Sequence, residues 1–237
     1  MIRKTFAYLV MLFFLIGQCP SNAQIAISFL AGPNYSYFIQ SKSDYAAKAS
    51  PGIGLDAGLQ FKAGDNHLLS FKAFIGYSLQ TPGIKLPNFV INEYYRYTYL
   101  EGKYQLSNIL IHPQLQFNFL KKKDLFLGIG PFCQVRIAGY GKGTYSYGFT
   151  PGGLPYSGDE ILRISTIFNK WNYGPGISCG YQKICFGKIC LFFELRELWM
   201  INNYFQDDNK SNGWSSKAVW YNLMTSLNVG IDLYRNN

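Results

Sequence analysis

Apolar and polar residues alternate over long stretches of this chain. In residues 107–120, SNILIHPQLQFNFL, the odd positions from Ile109 to Phe119 are apolar. The even positions are Asn, His or Gln, except for Leu110. A two-residue period places alternate side chains on opposite faces of a β-strand. This stretch therefore predicts a strand with one apolar face and one polar face.

The same alternation recurs along the chain and predicts eight strands. They cover about residues 25–39, 52–63, 67–81, 105–120, 124–140, 170–184, 188–202 and 219–234. Three connections are short (63–66, 121–123 and 186–187) and four are long (40–51, 82–104, 141–169 and 203–218). Short turns at one end and long loops at the other are typical of outer-membrane barrels. We predict an all-β, eight-stranded, antiparallel, up-and-down transmembrane β-barrel, with both termini on the short-turn, periplasmic side.

The composition of the polar face indicates that it points inward. Its residues are mostly Gly, Asn, Gln and Ser, with few charges of both signs, whereas a soluble lipocalin-like carrier has its apolar face inside and a charged exterior. Because enclosed charges need partners, we predict a charge network in the lumen. It comprises Asp56, Lys62, Lys72, Arg136, Glu194, Arg196 and Asp232. A salt-bridged plug is the favoured interpretation, since small barrels are filled by side chains; the alternative is a selectivity ring of a narrow pore for small solutes.

Aromatic residues on the apolar positions cluster near the long-loop end. We predict that they form a girdle at the level of the lipid headgroups. They are Tyr35, Tyr37, Tyr77, Trp171, Tyr173, Trp199 and Tyr221. Glu197 is the exception on the apolar positions, and we expect it either near the outer rim or turned by a bulge.

The first residues resemble a secretory signal peptide. MIRKTFAYLVMLFFLIGQCPSNAQ has a basic start, an apolar run and small residues before a cleavage position between Ala23 and Gln24. We predict that residues 1–23 are removed and that residues 24–237 form the barrel domain. Lipid attachment at Cys19 is the alternative, which the bulky Gln18 disfavours.

Composition excludes several function classes. The 237 residues are 48% hydrophobic and 18% aromatic but only 15% charged, with 24 glycines. No later segment is apolar for long enough to span a bilayer as a helix. The formal net charge of +9 is spread along the chain, so no basic patch predicts a nucleic-acid partner.

The cysteines predict neither a metal site nor an obvious disulfide. The chain has five cysteines, and they do not form paired motifs of the kind that bind zinc. Cys185 and Cys190 flank a tight turn, but strict alternation places them on opposite faces. This argues against a disulfide unless a bulge intervenes. We predict no metal and no cofactor.

Four stretches resemble the PorT-like outer-membrane β-barrel family of Bacteroidota, which consists of small barrels of the OmpA/OmpX type. They are PGIGLDAGLQF (51–61), SNILIHPQLQFNF (107–119), LFLGIGPFCQV (125–135) and YGPGISCGYQ (173–182). The ending NVGIDLY (228–234) looks like a barrel-assembly signal, but it continues into Arg235 and two Asn residues. The resemblance implies an outer-membrane barrel and, as one version of its role, an accessory function in protein secretion. It implies no catalytic residues.

Candidate chemistry is sparse. His112 is predicted in the lumen, where it is either a hydrogen-bonded filler or a general base, and the filler is favoured because no nucleophile motif accompanies it. Tyr94, Tyr95, Tyr97 and Tyr99 lie in the second long connection. They either contact a partner, or Tyr97 and Tyr99 extend the fourth strand. The expected partners are outer-membrane lipid and another envelope protein; the oligomeric state is left open. We predict a non-enzymatic interaction barrel, with a narrow pore as the alternative.

Overall fold

The computed structural model describes residues 25–40, 48–64, 68–90, 95–119, 125–149, 156–162, 169–186, 189–202 and 220–235. The predicted signal peptide lies outside these residues and stays a prediction. None of the described residues forms a helix long and apolar enough to cross a membrane.

Eleven strands make up the described chain. They are β1 (Ile25–Gln40), β2 (Lys48–Ser50), β3 (Gly52–Ala63), β4 (Leu69–Gln80), β5 (Gly83–Val90), β6 (Tyr95–Phe119), β7 (Leu125–Phe149), β8 (Tyr156–Leu162), β9 (Trp171–Phe186), β10 (Ile189–Trp199) and β11 (Trp220–Arg235).

Eight of these strands close into a barrel. The order β6-β4-β3-β1-β11-β10-β9-β7 is completed by a β6–β7 ladder, and every pairing is antiparallel. Each barrel strand therefore pairs with the next one in the chain, and the last pairs with the first. The predicted eight-stranded, antiparallel, up-and-down barrel is confirmed. The first and last strands meet at Ala26 and Arg235, so the described chain begins and ends at the short-turn end.

The barrel is packed in its lumen. Even-numbered side chains of the barrel strands are buried, while their odd-numbered neighbours include exposed Leu, Ile, Phe, Tyr and Trp side chains. The core of this molecule is therefore mostly polar and is enclosed by a largely apolar outer wall.

Two long connections are not loops, contrary to the prediction. β6 and β7 pair from Phe119–Leu125 out to Tyr95–Phe149, whereas β4 follows β6 only to Leu106. Beyond that point β5 replaces β4 on one side and β8 replaces β9 on the other. The predicted loops 82–104 and 141–169 thus contain β5, β8 and the outer parts of β6 and β7. The alternation is weaker here because the segments are rich in Gly and Tyr on both faces.

We call this part the extension sheet: β2, β5, residues 95–104 of β6, residues 141–149 of β7, and β8, in the order β2-β5-β6-β7-β8. It continues the barrel wall on the long-loop side. β2 lies within the predicted loop 40–51. This prediction is also corrected, because three residues of the segment form a strand paired with β5.

A bulge changes the prediction for the β9–β10 hairpin. Leu191 pairs with Ile184, but Phe192 pairs with Gln182, so Lys183 is an extra residue in β9. One extra residue reverses the parity of everything beyond it. Cys185 consequently lies directly opposite Cys190 in the backbone ladder. Cys190 is disulfide-bonded, whereas Cys133 and Cys179 are free.

Candidate functional site

An ion bridge crosses the middle of the lumen. Lys72 Nζ lies 2.8 Å from Glu194 Oε2, and Arg196 Nη2 lies 2.8 Å from Glu194 Oε1. All three side chains are fully buried, with 0% of their surface exposed. β4 and β10 are four strands apart in either direction around the barrel, so the Lys72–Glu194 pair joins opposite walls.

The bridge continues as a chain of hydrogen bonds. Lys72 also donates to Ser178 Oγ at 3.2 Å, and Ser178 donates to Gln114 Oε1 at 2.7 Å. The Gln114 amide lies 2.7 Å from Nδ1 of His112. Four strands therefore contribute to one connected polar layer, in which each charged group has partners.

Aromatic rings cover the cations of this layer. Lys72 Nζ lies 4.4 Å from the centroid of the Phe126 ring, and the Arg196 guanidinium carbon lies 4.1 Å from that of Phe74. Cation–π attraction of this kind is stronger where water is excluded. Each cation of this layer is therefore both paired with Glu194 and covered by an aromatic ring.

The remaining predicted charges face the lumen but do not all join the bridge. Asp56 accepts a hydrogen bond of 2.6 Å from Asn34 and interacts electrostatically with Arg196. Lys62 and Arg136 are buried, and Lys62 pairs in the ladder with Lys72. Asp232 is only half-buried and accepts a 2.8 Å hydrogen bond from Ser28 at the short-turn end. The structure thus brings Lys72, Glu194 and Arg196 together, and Asp56 interacts electrostatically with this cluster through Arg196.

The outer half of the lumen is closed by apolar side chains that sequence reasoning missed. Leu106, Leu110, Leu198, Met200 and Met224 lie on the polar positions and are buried. Leu110, the exception in the opening stretch, is one of them. The sequence did carry a signal for this layer, because each of these is an apolar residue at a lumen-facing position of its strand.

Met224 is bound across the lumen. Gln80 Nε2 on β4 donates to the Met224 sulfur on β11 at 3.0 Å, and Asn222 donates to Gln80 Oε1 at 3.3 Å. The barrel is therefore crossed a second time nearer the outer end. This layer joins two strands that are not neighbours in the sheet.

Phe rings are seated over lumen glycines. A Cβ at Gly180 would lie 2.7 Å from the Phe126 ring, one at Gly174 would lie 3.2 Å from Phe132, and one at Gly76 would lie 2.5 Å from Phe74. The glycines thus leave room for these rings. Phe192 over Gly230 is a fourth such pair.

His112 lies inside the packed layer. Its ring is fully buried, contacts Gln114 and meets Phe132 edge-on at 6.4 Å between centroids. A general base has to reach the proton of a substrate, and this imidazole is enclosed on all sides by lumen residues. Among the described residues no cluster of three or more His, Cys, Asp or Glu side chains forms a metal site.

The predicted girdle residues with described side chains are exposed on the outer wall. These are Tyr35, Tyr37, Tyr77, Trp171, Tyr173 and Trp199. The side chain of Tyr221 lies outside the described part of the molecule, although its backbone belongs to β11. Tyr77 also shares a hydrogen bond of 2.7 Å with Ser107 on the next strand. Their height at the lipid headgroups stays a prediction.

Glu197 remains on the outer wall and is not turned inward. It lies two residues before the end of β10, is half-buried, and accepts a 3.2 Å hydrogen bond from the indole nitrogen of Trp199. The sequence left two expectations for Glu197, a position near the outer rim or a bulge. The structure places Glu197 toward the long-loop end, without a bulge.

The Tyr-rich segment is a strand in the extension sheet. Tyr94 lies outside the described residues, whereas Tyr95, Tyr97 and Tyr99 belong to β6. The interpretation that Tyr97 and Tyr99 extend the fourth predicted strand is confirmed. The backbone ladder pairs four aromatic residues in succession across four strands: Phe89, Tyr97, Tyr147 and Tyr156.

Comparison with known proteins adds likenesses of fold only. No protein-family model matches the chain, and no curated protein matches its sequence. The structure is similar to Ail, the attachment invasion locus protein of Yersinia pestis, with a TM-score of 0.39 and 10% identity, over 89% of this chain and 99% of that one. It is also similar to Neisserial surface protein A (TM-score 0.38, 11% identity, 90% and 100% covered). A third is the outer membrane protein OprG from Pseudomonas aeruginosa (TM-score 0.39, 11% identity, 88% and 96% covered).

Likenesses of this size carry no argument about function. The strand number and the closure of the barrel rest on its own ladders. The resemblance to the PorT-like family stays a prediction.

Proposed function

We propose that this protein is an outer-membrane barrel that is closed to solutes, has no enzymatic activity, and uses its extension sheet to bind a partner. The observation that supports the membrane placement is that the barrel is apolar on its outer wall and polar in its lumen. Leu227, Ile129 and Leu195 are exposed on the outside by 55%, 53% and 46%, while Lys72, Glu194 and Arg196 are enclosed. A contiguous apolar exterior of this extent is stable in lipid and not in water.

This orientation favours the membrane barrel over a soluble lipocalin-like carrier. A carrier would keep apolar residues around its ligand, whereas the centre of this lumen holds an ion bridge. With the long-loop end outside, both ends of the described chain face the periplasm, as in other barrels with an even number of strands.

The two cross-lumen layers support a plug rather than a pore. An ion path would have to separate Lys72 from Glu194 and displace the Met224 layer, and separating a buried ion pair leaves uncompensated charges. The enclosed His112, with no nucleophile bonded to it among the described residues, supports the absence of enzymatic activity.

Gel mobility of the membrane fraction tests the placement. Unheated protein should migrate differently from boiled protein, because a closed ladder has no edge from which detergent can unravel it. A soluble periplasmic protein without this shift would contradict the proposal. Reconstituted protein should show no conductance steps in planar bilayers; steady steps would favour the narrow pore.

The partner role is supported by the extension sheet, whose ladder pairs four aromatic residues in succession beyond the barrel. Its partner is an envelope or surface protein, with an accessory role in secretion as one version. A photoreactive amino acid at Tyr97 should form a cross-linked protein product in whole cells, and the same probe at Leu115 on the barrel wall is the control. Equal products, or none, from both positions would contradict a partner at the extension sheet.

A further inference from the structure

Glu197 is a carboxylate on an outer wall that is otherwise apolar around it. Its ladder partners are Thr225 on β11 and Ile177 on β9. Within the described part of the chain no Lys or Arg forms an ion pair with it, and its hydrogen bond comes from Trp199. A lipid-facing charge without an ionic partner is unfavourable, so a cation beside this carboxylate would stabilise it.

The residues around Glu197 form a notch. Tyr35, Thr225 and Glu197 are successive ladder partners across three strands, so their side chains share the outer face. The small Thr225 lies between two larger side chains, and Trp199 lies two residues further along β10 on the same face. Tyr35 and Trp199 expose 48% and 39% of their surface. We call these four residues the Glu197 notch.

The notch lies in the half of the barrel wall that is nearer the long-loop end. Glu197 is three residues beyond Glu194, which is about 8 Å along the axis for a tilted strand. Trp199 and Tyr35 lie toward the outer end of their strands, where amphipathic rings meet headgroups.

We propose that the Glu197 notch binds the ammonium group of a phospholipid headgroup. The carboxylate supplies the counter-charge, and the Trp199 and Tyr35 rings supply the aromatic faces on which ammonium groups are held. A lipid fits better than a cationic protein side chain, because the notch is one small residue wide and lies on the wall that the proposed placement sets in lipid. The inference rests on the proposed membrane placement.

Native mass spectrometry of the full barrel in detergent tests this. The protein is equilibrated with equimolar phosphatidylethanolamine, phosphatidylcholine and phosphatidylglycerol of identical acyl chains. We expect both ammonium lipids to be retained over phosphatidylglycerol by about fivefold, as for a partly exposed cation–π and ionic contact. Glu197→Gln and Trp199→Leu should each bring the ratio close to one.

The matched control is Trp171→Leu, which removes another outward Trp, exposed by 56%, from a strand that does not contribute to the notch. It should keep the wild-type ratio. An unchanged ratio in Glu197→Gln would overturn the notch, as would loss of a co-purifying cationic protein without any change in lipid ratio.

The heat-dependent gel shift of each variant separates the two proposals. If wild-type protein shows the shift but has no lipid preference, only the notch is wrong. If wild-type protein shows no shift and is soluble, the membrane placement itself is wrong.

Discussion

The same strands form the inner and the outer wall of this barrel, but different interactions stabilise the two walls. Along β10, Glu194 and Arg196 are enclosed, whereas Leu195 and Trp199 between and beyond them are exposed by 46% and 39%. The exposed surface of these apolar side chains is not buried within the chain, so its contribution to folding stability depends on the medium around the barrel. The inner wall depends instead on the pairing of its enclosed charges. This fold is therefore stabilised from inside by charge pairing, while the contribution of its outer wall depends on the surrounding medium.

The largest expected effect comes from breaking the inner wall at Glu194. Glu194→Leu leaves Lys72 and Arg196 enclosed without their shared carboxylate. Removing one partner from a buried ion network costs about 3–5 kcal/mol. The free energy of unfolding, measured by urea titration in liposomes, should fall by this amount.

The triple variant Lys72→Met/Glu194→Leu/Arg196→Leu is the matched control. It removes all three charges together, and such replacements are often neutral or stabilising. If the triple variant is as unstable as Glu194→Leu, the loss comes from packing and not from unpaired charge.

The next effect sharpens the outer wall. Leu227 is 55% exposed near mid-height, and Leu227→Arg should reduce folding stability in liposomes by about 2–4 kcal/mol, since arginine at the bilayer midplane is poorly solvated. Leu233→Arg, at the short-turn end, should cost only about 0–1 kcal/mol. Equal effects at both depths would argue against a membrane around this wall.

A smaller effect tests the seating of the Phe rings. A Cβ at Gly230 would lie 2.0 Å from Phe192, so Gly230→Ala forces the ring to move. Overpacking of this kind costs about 1–3 kcal/mol. Adding Phe192→Leu should restore part of the loss in the same unfolding measurement; no rescue would show that the alanine disturbs the backbone instead.

The smallest effect concerns the polar end of an outward ring. Tyr77→Phe removes the hydrogen bond to Ser107 while keeping the ring. Because this bond is exposed, its loss should change stability by about 0.5 kcal/mol. A change of several times this size would place Tyr77 in a more enclosed contact than the outer wall offers.

Much of the fold was predictable because alternation is a local signal. Ile109 and His112 could be assigned to opposite walls without any knowledge of their neighbours, since successive Cβ atoms point to opposite faces. The extension sheet was not predictable in this way. Tyr97 pairs with Phe89 and Tyr147, but its segment is rich in Tyr on both faces and carries no two-residue contrast.

The sequence predicted which charged residues face the lumen, but it did not predict which of them contact one another. The charges assigned to the lumen do face inward, and Lys72, Glu194 and Arg196 form the ion bridge among them. Lys72 and Glu194 are 122 positions apart in the chain. Whether two lumen residues reach each other depends on the stagger of the strands around the closed barrel, which no single strand encodes.

The sequence by itself determined the number of barrel strands, their inward and outward faces and the end at which the turns are short, because each follows from a periodic pattern within one segment. Tertiary structure alone decided which lumen residues bridge opposite walls and that Cys185 lies opposite Cys190. The physical reason is that register is a relation between strands. One extra residue, Lys183, reverses the face of the residues beyond it, and the local sequence pattern does not predict this.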